Sequence, residues 1–538
     1  MAKPLQTSTI SAPGFLGVNT QESSVDLSSG YALEAYNCVI DQFGRIGARR
    51  GWQKQNSSLN TDLSTNDIEF LFELPETGTV LAGGDNKLFS FASGTLTTEV
   101  TTTVVDAAGT GTTVYNITDN NWIGSSIVYG EGPDISPHAY VCQASHLPLV
   151  YHKVGSGHAH TGSYGFQRLM DVGTVPSTYA SASDFTPNFV LGAYGRTWWA
   201  DIANDSQTVY FSALLDGTNL STGDSGYLSL VDVFPNGDEV VGLAAHNGFL
   251  IIFGKRNIAV YAHPIDVTRL ELVDLIANVG CIARDSIVNT GTDVMFLSDT
   301  GVRSIARVIQ EKSAPINDIS FNVRDDLVSY VASESNKEKI KAAYYPRDAF
   351  YLLTLPSSNY VFCFDLRARL QNGAARVTIW DSLKPKSLHV TYGGDLLIGK
   401  EGYIGKYFGF LDNDSTYRLR YYTNYFDLGN PTSLKFLKKG TFVVIGGIGQ
   451  DVALKYGFDY IDSFRSITKT LATGAAVSEY NISEYGIDEY TSGLKLEEVR
   501  ANLGGSGSII QLGFEADINQ NPLSIQKIDV YLKSGKVV

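Results

Sequence analysis

Five of the eight histidines fall between His138 and His160. On a strand, His158-Ala159-His160 would put two imidazoles on one face, an arrangement that can hold a metal. With His152 nearby, the candidate ligands are His152, His158 and His160. No Asp, Glu or Cys stands at ligand spacing and the stretch is rich in Gly and Ser, so the expectation is exposed loop histidines with no metal and no other cofactor. Hydrolysis of a glycoside would need two carboxylates set ~5–9 Å apart. Asp201, Asp205, Asp232 and Glu239 are candidates, but none sits in a recognisable motif, and the Ser-x-Asp-x-Gly-x-Thr-Trp box of sialidases is absent. Ser298-Asp299-Thr300-Gly301 has turn chemistry, and no GxSxG, P-loop or HExxH pattern occurs. No catalytic residue is assigned. Cys38, Cys142, Cys281 and Cys363 are far apart without a CxxC pair, which predicts buried free thiols. Two short basic groups remain: Arg49-Arg50, and Lys435 with Lys438 and Lys439. Either could meet phosphate, though charge runs usually form solvated faces.

The elements that must carry these residues are mostly strands. Tyr36 to Ile40 and Arg45 to Arg49 read as a hairpin, closed by Asp41-Gln42-Phe43-Gly44. An Asp side chain can bond the backbone two residues on, and Gly supplies a positive φ. The hairpin leads into Arg49-Arg50-Gly51-Trp52 after a Gly-rich approach, Pro13 to Asn19. It reads as a docking element outside the main fold, with Arg49, Arg50 and Trp52 as assembly-interface candidates.

The chain has 538 residues, a size at which one simple core stops growing. It is 43% hydrophobic and 18% charged, with 53 Gly, 30 Tyr and 26 Phe, a composition suited to an all-β protein with many turns. The formal charge of −15 argues against a chain built to grip nucleic acid, which needs a basic face. The N-terminal residues lack a long apolar run, so no Sec signal peptide is expected. The most apolar stretch, Val240 to Val260, is interrupted by His246, Asn247, Lys255 and Arg256, so stable membrane insertion is not expected.

From residue 65 to 412 one pattern recurs: an apolar strand, a Gly/Asn/Asp turn, and a strand of aromatic and β-branched residues. Copies begin at Leu71, Ala139, Arg196, Leu243, Val294, Lys341 and Leu388. After a first interval widened by inserts, their spacing of roughly 47 to 57 residues is close to the ~40–50-residue blade of a β-propeller. A blade cannot bury both faces alone, so blades stack into a ring. The chain is therefore predicted to be mainly β: a β-propeller of six or seven blades, with loop insertions at about 95–135 and 155–190. An N-terminal arm with the docking hairpin occupies 1–64, and a small antiparallel β-domain occupies 413–538. One helix is predicted within Ile319 to Asn336. In the C-terminal domain, Ser508 to Phe514 and Ile525 to Leu532 are expected to pair around Asn519 to Pro522. Tyr480, Tyr485 and Tyr490 repeat in an acidic context and read as an ordered surface loop, a candidate interface.

Several stretches together resemble the tail nozzle, or tail hub (packaged DNA stabilisation), proteins of short-tailed bacteriophages. They are Gly17-Val18-Asn19 followed by Asn37, Asp41, Gly44, Ile46, Arg49 and Gly51; Gly237 to Val240 running into Phe249 to Gly254 and Ile258 to Tyr261; Gly280 to Ala283; Phe296 to Arg303; and Phe426 to Lys435. Their order along most of the chain carries the resemblance. A departure is Phe15-Leu16 where the family has a Gly pair. The resemblance implies a structural virion protein, made in the bacterial host cytoplasm and placed in the virion tail. It further implies a homohexameric tube with a propeller in each subunit, below the portal and its adaptor and flanked by fibres or spikes. Double-stranded DNA would be retained in it and then ejected, without sequence-specific binding and without catalytic residues. In such a tube the acidic balance would let phosphates slide by repulsion. The alternative is a carbohydrate-binding or glycosidase-like β-propeller.

Overall fold

The computed structural model describes residues 6–11, 15–24, 27–41, 43–129, 136–154, 162–179, 181–311, 318–427, 431–461, 463–473 and 496–537. Seven sheets form a ring. Their first strands are Phe70–Leu74, Ile123–Tyr129, Pro187–Ala193, Val240–His246, Val288–Asn289, Lys341–Tyr345 and Ser387–Val390. Each packs against the next in that order, and Ser387–Val390 returns to Phe70–Leu74. The seven repeat copies fall one to a sheet, so the ring is a seven-bladed propeller. Each blade buries its faces on its neighbours. Phe189 and Trp198 of the third blade, for example, share a cluster with Leu250 and Ile252 of the fourth.

The ring closes with a strand from the other end of the chain. Trp52–Lys54 pairs antiparallel with Ile404–Tyr407 as the outer strand of the seventh blade, Trp52 opposite Tyr407. The last blade is thus completed by residues that precede the first. A hydrogen-bonded ladder then holds the ends of the ring together.

Two stretches expected to be loop insertions contribute strands to the blades. Thr95–Val100 is the outer strand of the first blade, while Thr103–Val105 and Thr112–Val114 extend the second to six strands. Tyr164–Arg168 is the fourth strand of the second blade. The runs of threonine there are β-branched and suit a pleated surface, a preference that outweighs their polarity. The helix forms as Arg324–Ser333, with Leu327 and Val331 buried on one side.

Beyond the ring lies a β-sandwich, and the N-terminal segment belongs to it. One layer contains Ser433–Gly446, Leu496–Asn502 and Leu523–Val537, joined by Gln6–Ser11, Cys38–Ile40 and Ile46–Ala48. The other continues from the sixth blade: Ala375–Trp380, Tyr31–Tyr36, Tyr417–Thr423, Ile510–Ile518, Asp451–Phe458 and Arg465–Thr470. Phe442 and Phe514 meet between the layers with ring centroids 6.2 Å apart. The expected hairpin around Asn519 to Pro522 does not form, because Ile510–Ile518 and Leu523–Val537 lie in opposite layers. Pro522 has no N–H to give to a hairpin ladder. Gln450 Nε2 instead binds the carbonyls of Asn519 and Asn521 at 2.9 and 3.0 Å and holds the crossover.

Candidate functional site

Two polar centres are built by this architecture. The first lies where the N-terminal hairpin meets the ring and the sandwich. Asp41 closes the hairpin as its residue type predicts: Oδ1 accepts from the N–H groups of Phe43 and Arg45, each at 2.9 Å. Gly44 takes φ +75°. Beyond the hairpin the Arg49 side chain is wholly buried. Its Nη1 and Nη2 donate to the two carboxylate oxygens of Asp412 at 2.9 and 2.6 Å, a planar fork on a carboxylate. Nη2 also reaches Ser382 Oγ at 2.6 Å and Nη1 the Arg50 carbonyl at 2.7 Å. The guanidinium lies 4.1 Å from the Tyr417 ring centre. Burial would lower the pKa of the guanidinium, but Asp412 more than offsets it, so the group stays charged.

Asn37 completes this centre from a left-handed backbone, φ +53°. Its Nδ2 donates to Asp381 Oδ1 at 2.6 Å and to the Arg418 carbonyl at 2.8 Å. The segment leaving the sixth blade, the segment leaving the seventh and the first sandwich strand are thereby tied to one hairpin. At Gly51 a Cβ would stand 1.9 Å from the Leu411 carbonyl oxygen, so only glycine lets these backbones meet. Trp52 is buried and Arg50 half-buried, its N–H donating to Tyr407 Oη at 3.0 Å. The expected docking hairpin is therefore an internal joint. Arg49 and Trp52 are buried by Asp412 and the seventh blade, partners that local sequence could not reveal.

The second centre is the axis of the propeller. Glu69, Phe72, Trp122, Arg284, Lys341 and His389 are among the residues lining a cavity of about 270 Å³ there. Its floor is a closed polar network. Arg284 Nη1 donates to the Asn188 carbonyl and Asn188 Oδ1, both at 2.7 Å, and Nη2 to the Asn121 carbonyl at 2.8 Å. Arg284 Nε binds Asp285 at 2.9 Å, and Lys341 caps the same carboxylate. Asp285 is buried, which would raise it, but Arg284 and Lys341 hold it below the usual carboxylate range. His389 lines this cavity; burial pulls it down to about 4, and its Nε2 accepts from the Glu73 N–H at 3.0 Å. At about 270 Å³ the cavity is far too small for a duplex.

The carboxylates singled out by sequence do not converge. Asp201 accepts from Asn188 Nδ2 at 2.8 Å near the axis, and burial raises its pKa. Asp205 accepts from Tyr179 and Tyr210 at 3.3 and 2.7 Å. Asp232 is exposed, and Glu239 pairs with Lys255. His152 is buried, its Nε2 bonded to Gln167 Oε1 at 2.8 Å and its ring stacked on His138 at 5.0 Å. His158, His160, Tyr480, Tyr485 and Tyr490 lie outside the described residues. Among the described residues no group of three His, Cys, Asp or Glu is placed to hold a metal ion. The four cysteines are free and buried, as their surroundings predicted. Sequence reasoning missed Asp412 and the Arg284-Asp285-Lys341 cluster. Arg284 follows directly on the Gly280 to Ala283 stretch, the one signal that could have marked it.

No family model and no curated protein matches the chain. Solved structures with a similar shape include the WD40 domain of Neurospora crassa Pan2. It is 9% identical with a TM-score of 0.36, and the match covers 67% of this chain and 96% of that one. The WD40 β-propeller domain of Doa1 is 8% identical with a TM-score of 0.33, covering 66% and 96%. An auxiliary nutrient binding protein of Bacteroides thetaiotaomicron is 10% identical with a TM-score of 0.30, covering 75% and 76%. The seven-bladed architecture stands on the ring topology above.

Proposed function

We propose that the chain is the nozzle subunit of a short phage tail. In this reading it forms a homohexameric channel below the portal and adaptor, through which double-stranded DNA is retained and then ejected, and it acts by architecture without catalysis. The observation that carries the reading is the joint. Asn37, Asp41, Gly44, Arg49 and Gly51, which carry the family resemblance, each do a structural task there, locking ring, sandwich and chain start into one rigid body. Such a rigid body suits a part that must hold a pressurised polymer. The axial cavity is too small for DNA, so a channel would run between subunits and not through the propeller.

The test is immunogold electron microscopy of purified phage particles with antibodies raised against the recombinant chain. Label confined to the tail vertex is expected; particles without label there would defeat the reading. The carbohydrate-binding alternative has one observation of its own. Asn121 Oδ1 and Trp122 Nε1 are buried beside the axis without hydrogen-bond partners, a donor and an acceptor next to an aromatic wall. Binding on a glycan array that is lost in Trp122→Phe would favour that reading instead.

A further inference from the structure

A smaller cavity of about 40 Å³ shares Glu69 and Lys341 with the axial one, so these two residues stand where the spaces meet. The chemistry differs on either side of them. The larger space is walled by Phe70, Phe72, Trp122, Phe189, Ile287 and Leu388. The smaller is lined mainly by polar groups: Lys386 pairs with Asp67 at 3.1 Å, and Lys339 with Glu69 at 3.3 Å. An aromatic chamber thus opens onto a polar antechamber.

Hydrogen-bonding capacity at this junction is only partly used. Lys341 is 6% exposed, yet among the described residues its Nζ bonds Asp285 alone, which leaves two of the three ammonium N–H groups. Glu69 Oε1 takes Lys339, and among the described residues Oε2 has no partner. Asn121 lines the smaller cavity, and its buried Oδ1 accepts no hydrogen bond among the described residues. His389 Nε2 already accepts the Glu73 N–H, so its proton stands on Nδ1, a neutral donor in the wall of the larger cavity. A buried ammonium with idle donors and a buried acceptor without a partner are both costly until something meets them. In the axial lining Arg284 and Lys341 balance Glu69 and Asp285, so a ligand with net charge would upset that balance and a zwitterion would keep it.

We infer that the axial cavity binds a free α-amino acid with an apolar side chain. Its carboxylate meets the Lys341 ammonium, its ammonium meets Glu69 Oε2 and Asn121 Oδ1, and its side chain enters the space walled by Phe72, Trp122 and Leu388. An α-amino acid carries both charged groups on one carbon, which suits the common position of Glu69 and Lys341 at the junction. At about 270 Å³ the cavity lies just below the ~300–1,000 Å³ of ordinary ligand pockets, so the occupant is small. A sugar would bring hydroxyls but no charge to either group. Such binding neither needs nor excludes a place in a phage tail, so tail-vertex labelling and amino-acid binding stand or fall separately.

Isothermal titration calorimetry of the full-length chain tests this with L-phenylalanine and L-leucine as probes. Binding of at least one is expected. The amide of that amino acid lacks the carboxylate, and the corresponding deaminated acid lacks the ammonium. Each should bind about 10- to 100-fold more weakly, the worth of one hydrogen bond to a charged group. Glu69→Gln should weaken the amino acid by a similar factor and leave the deaminated acid unchanged. The Glu69 side chain is 18% exposed and the substitution keeps its shape, so a thermal melt like that of the wild type is expected. Lys341→Met also uncovers Asp285, which makes Glu69→Gln the deciding variant. Failure of both amino acids to bind overturns the inference, as does either analogue binding as tightly as its parent, or a folded Glu69→Gln that binds like the wild type. Binding of glucose with neither amino acid bound overturns it too, and favours the carbohydrate alternative.

Discussion

Replacing Arg49 by Met should reveal whether the hairpin is a joint or a docking surface. The guanidinium is wholly buried, while the Asp412 side chain keeps 11% exposure. Removing the cation leaves a carboxylate in protein surroundings with Ser382 Oγ as a remaining donor at 3.1 Å. Breaking a buried pair from one side costs ~3–5 kcal/mol, because the orphaned charge keeps its desolvation penalty. Asp412→Leu orphans the guanidinium and should cost a similar amount. Arg49→Met combined with Asp412→Leu removes both charges and replaces them with apolar volume, so the double variant should be more stable than the summed single losses by ~2–3 kcal/mol. Urea unfolding followed by tryptophan fluorescence reads this directly. Trp380 stacks on Tyr407 at 5.5 Å, and Tyr407 accepts from the Arg50 N–H, so this region contributes to the fluorescence change. Additive losses would refute the coupling. A loss below ~1 kcal/mol for Arg49→Met, the range of an exposed pair, would refute the joint altogether and restore the hairpin as an outward surface.

Further outcomes follow from the same geometry. Gly51→Ala should destabilise by about 3 kcal/mol, since its Cβ would fall 1.9 Å from a backbone oxygen that no rotamer can move; a thermal melt shows it. Burial pulls His389 from 6.5 to about 4, so between those values the unfolded chain takes up a proton that the folded chain refuses. Stability should therefore fall as pH drops from 6.5 toward 4, and His389→Gln should flatten that decline in urea titrations at stepped pH. Burial likewise pulls Lys400 from 10.5 to about 8, so its contribution to stability should rise as pH climbs from about 8 to 10.5. In Lys400→Met the rise should be absent, measured as the change in urea midpoint across that window.

Much of the fold was legible locally. Alternating apolar and β-branched residues with Gly/Asn/Asp turns mark each blade, and the seven copies fall one to a blade because every blade meets the same burial problem, although the sequence left six or seven blades open. Asp41 and Gly44 mark their turn because an Asx bond and a positive φ depend only on neighbours along the chain. The buried cysteines follow from apolar surroundings in the same way.

Partner choice across hundreds of residues was not legible. Trp52 alone does not disclose that it will pair with Tyr407, nor Arg49 that Asp412 will hold it, because a strand edge or a guanidinium accepts any partner of the right chemistry. Which one it meets depends on how the ring closes. Ser508 to Phe514 and Ile525 to Leu532 look like a hairpin for the same reason, until the sandwich separates them. Lys435 and Lys438 are chemically alike in the sequence, and only the pleat with its bulge sends one to the Ser508 carbonyl and the other to solvent. The sequence by itself thus determined the strands, the turns and a propeller of six or seven blades, since these rest on short-range sterics and periodic burial. Tertiary structure alone decided that the chain's beginning closes the ring, and which charges are locked inside or left to face another molecule, because those depend on contacts made only once the whole chain has folded.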